Sequence, residues 1–124
     1  MAMAYKEVWV FISQDQDPGE VLREELRRLK MLYSYTITHI LKFRPDVVSE
    51  VLRYVDGGIP LEDVPPFLRS AVGVMRRYGV RALPSVGVTY TNGYSKVVCE
   101  GVSADGLIWC IRQLYAKKAS LLKR

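Results

Sequence analysis

Tyr-Gly-Val-Arg-Ala-Leu-Pro-Ser, at residues 78–85, leads directly into a run of β-branched and aromatic residues. That run, at residues 85–91, and a second at 95–100 have the composition typical of strands. Between them stands Asn92-Gly93, the pair most typical of a tight hairpin turn. The sequence therefore predicts two antiparallel strands joined at that pair.

Helical patterns flank this hairpin on both sides. Before it, apolar residues recur at helical spacing over residues 46–55 and again over 66–78, where Gly79 is a natural C-cap. After it, Ser103 is placed to cap a last helix over residues 104–118. Three helices are therefore predicted around the hairpin, two of them consecutive.

The N-terminal third begins with a strand and a helix. Residues 8–12 are five consecutive apolar residues, which is typical of a strand buried on both faces. Asp17 is a good N-cap and Pro18 a good first residue for the helix that follows. One face of that helix is charged and includes a Glu24–Arg28 pair, and its apolar stripe is Leu22, Leu26 and Leu29.

Residues 35–43 predict a second strand, parallel to the first because a helix connects the two. This strand contains His39, the one histidine of the chain. No partner for it is identifiable in the sequence, so we interpret it as structural. The predicted fold class is α/β, a four-stranded mixed sheet flanked by helices in the order β-α-β-α-α-β-β-α.

That order, together with residues 78–115, resembles the thioredoxin-like superfamily. The stretch at 78–85 is similar to the family's segment around its cis-proline, Asn92-Gly93 to its hairpin turn, and Gly101-Val102-Ser103 to the approach to its last helix. The motifs that resemble the family cover about a third of the chain, and the predicted order of strands and helices resembles the family over the whole chain. It implies a thioredoxin-like fold with a cis Leu83–Pro84 bond.

The chain departs from that family where the first strand meets the first helix. A redox-active member has Cys-x-x-Cys there, and this chain has Gln16-Asp17-Pro18-Gly19. Dithiol chemistry needs an activated thiolate and a resolving thiol, so we expect neither disulfide reductase activity nor a catalytic residue at this position. A second departure is a helical insert at about 46–78, where the family's plain members have one shorter helix.

The resemblance implies a binding role that needs no cysteine. In the family, the residue before the cis-proline pairs its backbone with an extended peptide, which is a form of strand addition. Our first hypothesis is a redox-inactive protein-binding or adaptor module, with self-association over the same face possible. Its expected contact residues are Gln16, Asp17, Pro18, Leu83 and Pro84.

The two cysteines, Cys99 and Cys110, leave three interpretations open. They form a structural disulfide, or they are two buried thiols that behave as small hydrophobic residues, or Cys99 is reactive. The alternative function that follows is a thiol-dependent oxidoreductase using Cys99 or Cys110. With one histidine and no Cys-x-x-Cys, we expect no metal site and no cofactor.

The net charge of +5 arises at the C-terminal end. Residues 1–111 contain 13 basic and 13 acidic groups, and five basic residues follow without an acidic one: Arg112, Lys117, Lys118, Lys123 and Arg124. A second alternative is therefore nucleic-acid association through this basic C-terminus. The tyrosines and tryptophans show no interleaving with basic residues along the sequence, so we assign them to packing.

Length and composition limit the remaining possibilities. The 124 residues suit a single domain, 1–124. No stretch approaches the roughly 18 apolar residues of a membrane span, and residues 1–6 lack the pattern of a secretory signal. We therefore expect a cytoplasmic protein without a membrane partner. The low content of amide residues, one Asn and three Gln, is compatible with a thermophilic source.

Overall fold

The fold is built on one mixed sheet of four strands. The computed structural model describes residues 4–122. Its strands are β1 (Tyr5–Ser13), β2 (Ile37–Phe43), β3 (Ser85–Tyr90) and β4 (Ser95–Glu100), in the sheet order β2-β1-β3-β4. The β1–β2 pair is parallel, and the β1–β3 and β3–β4 pairs are antiparallel. The predicted α/β class with a mixed sheet is confirmed.

Four helices cover the two faces of the sheet. They are α1 (Glu20–Leu32), α2 (Val48–Gly57), α3 (Pro66–Tyr78) and α4 (Ala104–Leu122). Side chains alternate along β1: Val8, Val10 and Ile12 pack with α1 and α4, while Phe11 packs with α2 and α3. All four are fully buried, as the apolar run at 8–12 predicted.

The start of α1 differs from the prediction. Asp17 is not its N-cap and Pro18 is not its first residue, because residues 14–16 form a 3₁₀ turn and the helix begins at Glu20. Gly19 is the N-cap, with φ 77° and ψ −140°, a conformation that side chains disfavour and glycine adopts freely. The Asp17 carboxylate instead accepts the Gly19 N–H at 2.8 Å.

The charged face of α1 also differs from the prediction. Arg28 pairs with Glu25 at 3.4 Å, and Glu24 pairs with Arg27 at 3.0 Å, so the predicted Glu24–Arg28 pair is wrong. Glu25 is buried on the inner side of the helix, next to α4. The apolar spacing identified Leu22, Leu26 and Leu29 correctly but gave no indication of a buried carboxylate among them.

Other boundaries shift by a few residues. The strand β2 begins at Ile37 rather than at 35, and residues 45–47 form a 3₁₀ turn before α2. Four residues, 91–94, connect β3 to β4, and among them only Gly93 has a positive φ. The Tyr90 N–H donates to the Tyr94 carbonyl across this turn at 2.8 Å. The Ser103 hydroxyl accepts the Gly106 N–H at 3.0 Å, so the predicted cap of α4 is confirmed. None of the helices within residues 4–122 is long and apolar enough to cross a bilayer.

Candidate functional site

Two turns meet at the end of the sheet where β1 finishes and β3 starts. The Gln16 side chain joins them: its Nε2 donates to the Leu83 carbonyl at 3.2 Å, and its Oε1 accepts the Ser13 N–H at 3.0 Å. The register brings these turns together because Phe11 of β1 lies opposite Ser85 of β3. Residues 67 positions apart in sequence thus form one face.

The second turn contains the Leu83–Pro84 pair. The Leu83–Pro84 bond is cis, and Leu83 is half-buried. Pro84 is buried and its carbonyl accepts the Val102 N–H at 3.3 Å, and a contact of Pro84 with a partner stays a prediction. The Leu83 N–H forms no hydrogen bond to any group within residues 4–122.

Asp17 organises the first turn. Besides the Gly19 N–H, its carboxylate contacts Lys42 Nζ of β2 at 3.0 Å and Arg23 Nη2 of α1 at 3.3 Å. The hydrogen bond from Gly19 and the one from Lys42 together lower the pKa of Asp17 to about 2, and Arg23 adds to this effect. Asp17 is therefore ionised at neutral pH and holds the turn against α1 and β2.

The side chains at this face are hydrogen-bonding groups rather than thiols. Its first turn has a carboxamide, a paired carboxylate, a half-buried proline and a glycine. A carboxylate held by two cations at so low a pKa is a poor general base near neutral pH. Within residues 4–122, no group of three or more His, Cys, Asp and Glu side chains is placed to hold a metal ion. The face offers hydrogen-bonding groups and no activated nucleophile.

Cys99 and Cys110 are joined in a disulfide bond with their Cα atoms 6.6 Å apart. The bond connects β4 to α4. Cys110 is 3% exposed, and Cys99 packs at the margin of the same apolar cluster. The structure thus corresponds to the bridged alternative rather than to two buried thiols or a reactive Cys99.

The basic residues of the C-terminal end are partly engaged within the molecule. Arg112 Nε contacts Glu25 Oε1 at 2.8 Å, and the Lys118 ammonium lies 4.2 Å from the centre of the Tyr33 ring. The side chain of Lys117, and both Lys123 and Arg124, lie outside the described residues. Nucleic acid bound through Arg112 would have to compete with Glu25.

Glu25 is a buried carboxylate at the centre of an ionic cluster between α1 and α4. Its carboxylate accepts hydrogen bonds from Arg112 and from the Tyr115 hydroxyl, and it contacts Arg28. Burial by itself would raise the pKa of Glu25, but the hydrogen bonds from Tyr115 and Arg112 outweigh it, so the pKa is lowered. The cluster joins α1 to α4 through a buried carboxylate, while the Arg28 and Arg112 side chains remain about half exposed.

His39 has partners that the sequence did not reveal. The parallel register sets it beside Trp9, with ring centroids 4.0 Å apart, and its Nε2 lies 3.4 Å from Glu7 Oε1. Glu7 also contacts Arg77 of α3 at 3.1 Å. Within the described residues the buried Nε2 atom nevertheless forms no hydrogen bond. The interpretation of His39 as structural is therefore unchanged, and strand register rather than sequence spacing brings Trp9 and Glu7 close to it.

The assignment of all the tyrosines to packing is also incomplete. Aromatic and basic residues distant in sequence meet at the other end of the sheet, where β1 begins and α1 ends. They line a groove of about 470 Å³, called here the tyrosine groove, that includes Tyr5, Lys6, Tyr33, Tyr35 and Lys118. No local pattern could have indicated it, since its members come from four separate segments.

Comparisons with family models, with curated proteins and with solved structures found no significant match to this chain.

Proposed function

We propose that this chain is a redox-inactive member of the thioredoxin-like superfamily that acts by binding an extended segment of a partner protein. The sequence resemblance around residues 78–115 and the element order support the family assignment. The hydrogen bond from Gln16 to the Leu83 carbonyl is the observation that carries the binding role, since it joins the two turns in one face.

Leu83 provides the point of attachment. Its carbonyl is occupied by Gln16, whereas its N–H forms no hydrogen bond to a group within residues 4–122. An extended peptide that pairs by its backbone needs such a donor at a strand end. We therefore expect a partner carbonyl at the Leu83 N–H, beside the half-buried Leu83 side chain and the Gln16–Gly19 turn.

The absence of thiols at residues 16–19 supports binding rather than dithiol exchange. Exchange at this position requires a thiolate at the start of the helix, and the chain has Gln16 and Gly19 at the two cysteine positions of the family. The remaining cysteines are bonded to each other between β4 and α4.

The test is selection of peptides from a displayed random library on the wild-type protein, followed by affinity measurement with variants. Leu83→Arg places a charged, longer side chain at the attachment point, and we expect roughly tenfold or greater loss of affinity. The matched control is Met31→Arg, because Met31 is 82% exposed and stands more than two turns along α1 from Gly19.

Two results would contradict the proposal. One is a library that yields no peptide above background, and the other is a set of peptides that bind Leu83→Arg as tightly as wild type. If, in addition, the wild type reduces a model disulfide and Cys99→Ser does not, the thiol-dependent alternative takes its place.

A further inference from the structure

The tyrosine groove lies at the opposite end of the sheet from the proposed peptide site. Tyr5, the first residue of β1, lies within it, and the Tyr5 hydroxyl donates to the Leu114 carbonyl of α4 at 2.9 Å. The ring of Tyr33, just after α1, packs on Tyr5 with centroids 5.0 Å apart. The remaining lining combines apolar residues such as Leu32 with the polar residues Ser34 and Thr91. The groove is therefore a concave surface with fixed aromatic walls.

The aromatic surface continues beyond the groove onto the hairpin. The Tyr90 ring lies 5.6 Å from that of Tyr5, and the Tyr94 ring lies 6.4 Å from that of Tyr90, with an angle of 8° between the last two planes. Two members of this surface face solvent: Tyr35 is 96% exposed and Tyr94 59%. The rings of Tyr33, Tyr5, Tyr90 and Tyr94 follow one another in space in that order, and the exposed Tyr94 ring lies at the hairpin end. Together with Tyr35 beside this row, they form an extended stacking surface.

Positive charge accompanies these rings. The Lys118 ammonium lies 4.2 Å from the centre of the Tyr33 ring, the Lys96 ammonium lies 5.7 Å from that of Tyr90, and Lys6 lines the groove. Within residues 4–122, none of these three lysines forms a salt bridge. Arg112 differs from these lysines, because its guanidinium forms a salt bridge with Glu25.

Acidic residues are sparse in the segments that form this end of the sheet. Residues 26–36, 88–99 and 106–122 contain no Asp and no Glu, and the acidic residue in the first half of β1 is Glu7, which pairs with Arg77. None of the described residues that line the tyrosine groove is acidic. The lysines of the groove therefore face no carboxylate within its lining.

We propose that the tyrosine groove and the adjoining hairpin bind single-stranded nucleic acid. Exposed rings stack on unpaired bases without sequence preference, and lysines beside them neutralise phosphates. A duplex would not suit the surface, because its bases are already stacked and paired. A lipid surface would call for protruding apolar side chains, whereas this surface is concave and is lined by tyrosine rings with lysines beside them.

The experiment is fluorescence anisotropy with a short labelled oligo(dT), using the full chain over a salt series. Wild type is expected to bind the single strand more tightly than a duplex of equal length. Tyr35→Ala is expected to weaken binding roughly tenfold, the usual effect of losing one stacked ring. The matched control is Phe67→Ala, because Phe67 is an exposed aromatic residue on α3 outside the groove, and its affinity is expected to be unchanged.

The lysine contribution is measured separately. Replacing both Lys6 and Lys118 with Gln should reduce the slope of log affinity against log salt by about 1.4, since each single-strand phosphate contact contributes about 0.7. Circular dichroism of each variant checks that it is folded. Because Tyr35 is almost fully exposed, its replacement leaves the core intact.

Four outcomes would overturn the proposal. The duplex binds as well as the single strand, or Tyr35→Ala binds like wild type. Alternatively, affinity falls only when Lys117, Lys123 and Arg124 are changed to Gln, which would assign binding to the C-terminal charges rather than to the groove. Finally, anionic phosphatidylserine vesicles displace the oligonucleotide and bind in a Tyr35-dependent way, which would make the surface a lipid-binding one.

Discussion

Asp17 is the residue on which the turn between β1 and α1 depends. Its carboxylate accepts the Gly19 N–H and contacts Lys42 and Arg23, so removing its charge affects three segments. The pKa of Asp17 is about 2 in the folded state, against about 3.9 for an aspartate in an unfolded chain. Its contribution to the free energy of unfolding is therefore complete above pH ~4. The contribution is lost as the pH falls towards 2.

We therefore expect Asp17→Asn to lower the free energy of unfolding by about 1–2 kcal/mol at pH 7 and by almost nothing at pH 2. Urea unfolding of both proteins at several pH values measures the difference. Asp46→Asn is the control, because Asp46 is 60% exposed in a surface pair with Arg44, and its effect should stay small throughout. A difference between wild type and Asp17→Asn that is independent of pH would contradict this account.

At the scale of the elements, the packing of α3 on the sheet depends on a close approach at Gly87 of β3. A Cβ added there would lie 2.7 Å from Tyr78 Cδ1 and 2.8 Å from Cγ. The Tyr78 ring has little room to move, because its hydroxyl contacts Arg77 and Thr89, each at 2.7 Å. Gly87 therefore allows the last turn of α3 to lie flat against β3.

Gly87→Ala is expected to lower the free energy of unfolding by about 1–3 kcal/mol through overpacking. The matched control is Gly73→Ala within α3, where an added Cβ meets only Leu61 at 3.6 Å. That change should be neutral or stabilising by up to about 1 kcal/mol, since alanine is favoured over glycine in a helix. Thermal or urea unfolding separates the two, and equal effects of both substitutions would argue against a specific contact with Tyr78.

At the scale of the whole molecule, the Cys99–Cys110 bond restricts the unfolded chain more than it alters the folded one. The bonded residues are separated by 11 positions, and a loop of that length corresponds to about 3 kcal/mol of stabilisation by loop-closure entropy. The bond also fastens β4, an edge strand, to α4. We expect unfolding to occur at clearly lower urea concentration when the bond is absent.

The measurement compares wild type with and without reductant, and with the Cys99→Ser, Cys110→Ser double variant. Reductant should destabilise the wild type by an amount similar to the double substitution and should leave the double variant unaffected. If reductant has no effect on wild type although alkylation shows that both thiols have become free, the bond does not contribute to stability.

The sequence by itself determined the elements and their order. The apolar run at residues 8–12, the stripe of α1, the cap at Ser103 and the Gly79 stop are local patterns, and local backbone preferences and burial periodicity act over a few residues. The absence of cysteine from residues 16–19 is likewise a property of the sequence alone. Without a thiol, these four residues have no group that could carry out dithiol exchange.

Only the tertiary structure decided which residues meet. Several contacts join segments that are far apart in sequence. They are Gln16 with Leu83, Glu7 with His39, Glu25 with Arg112, and the row of rings from Tyr33 to Tyr94. Strand register and helix packing bring them together, and both depend on the burial of the whole core rather than on any local pattern. Because such contacts depend on the packing of the whole core, neither the burial of Pro84 nor the tyrosine groove could be predicted from the sequence.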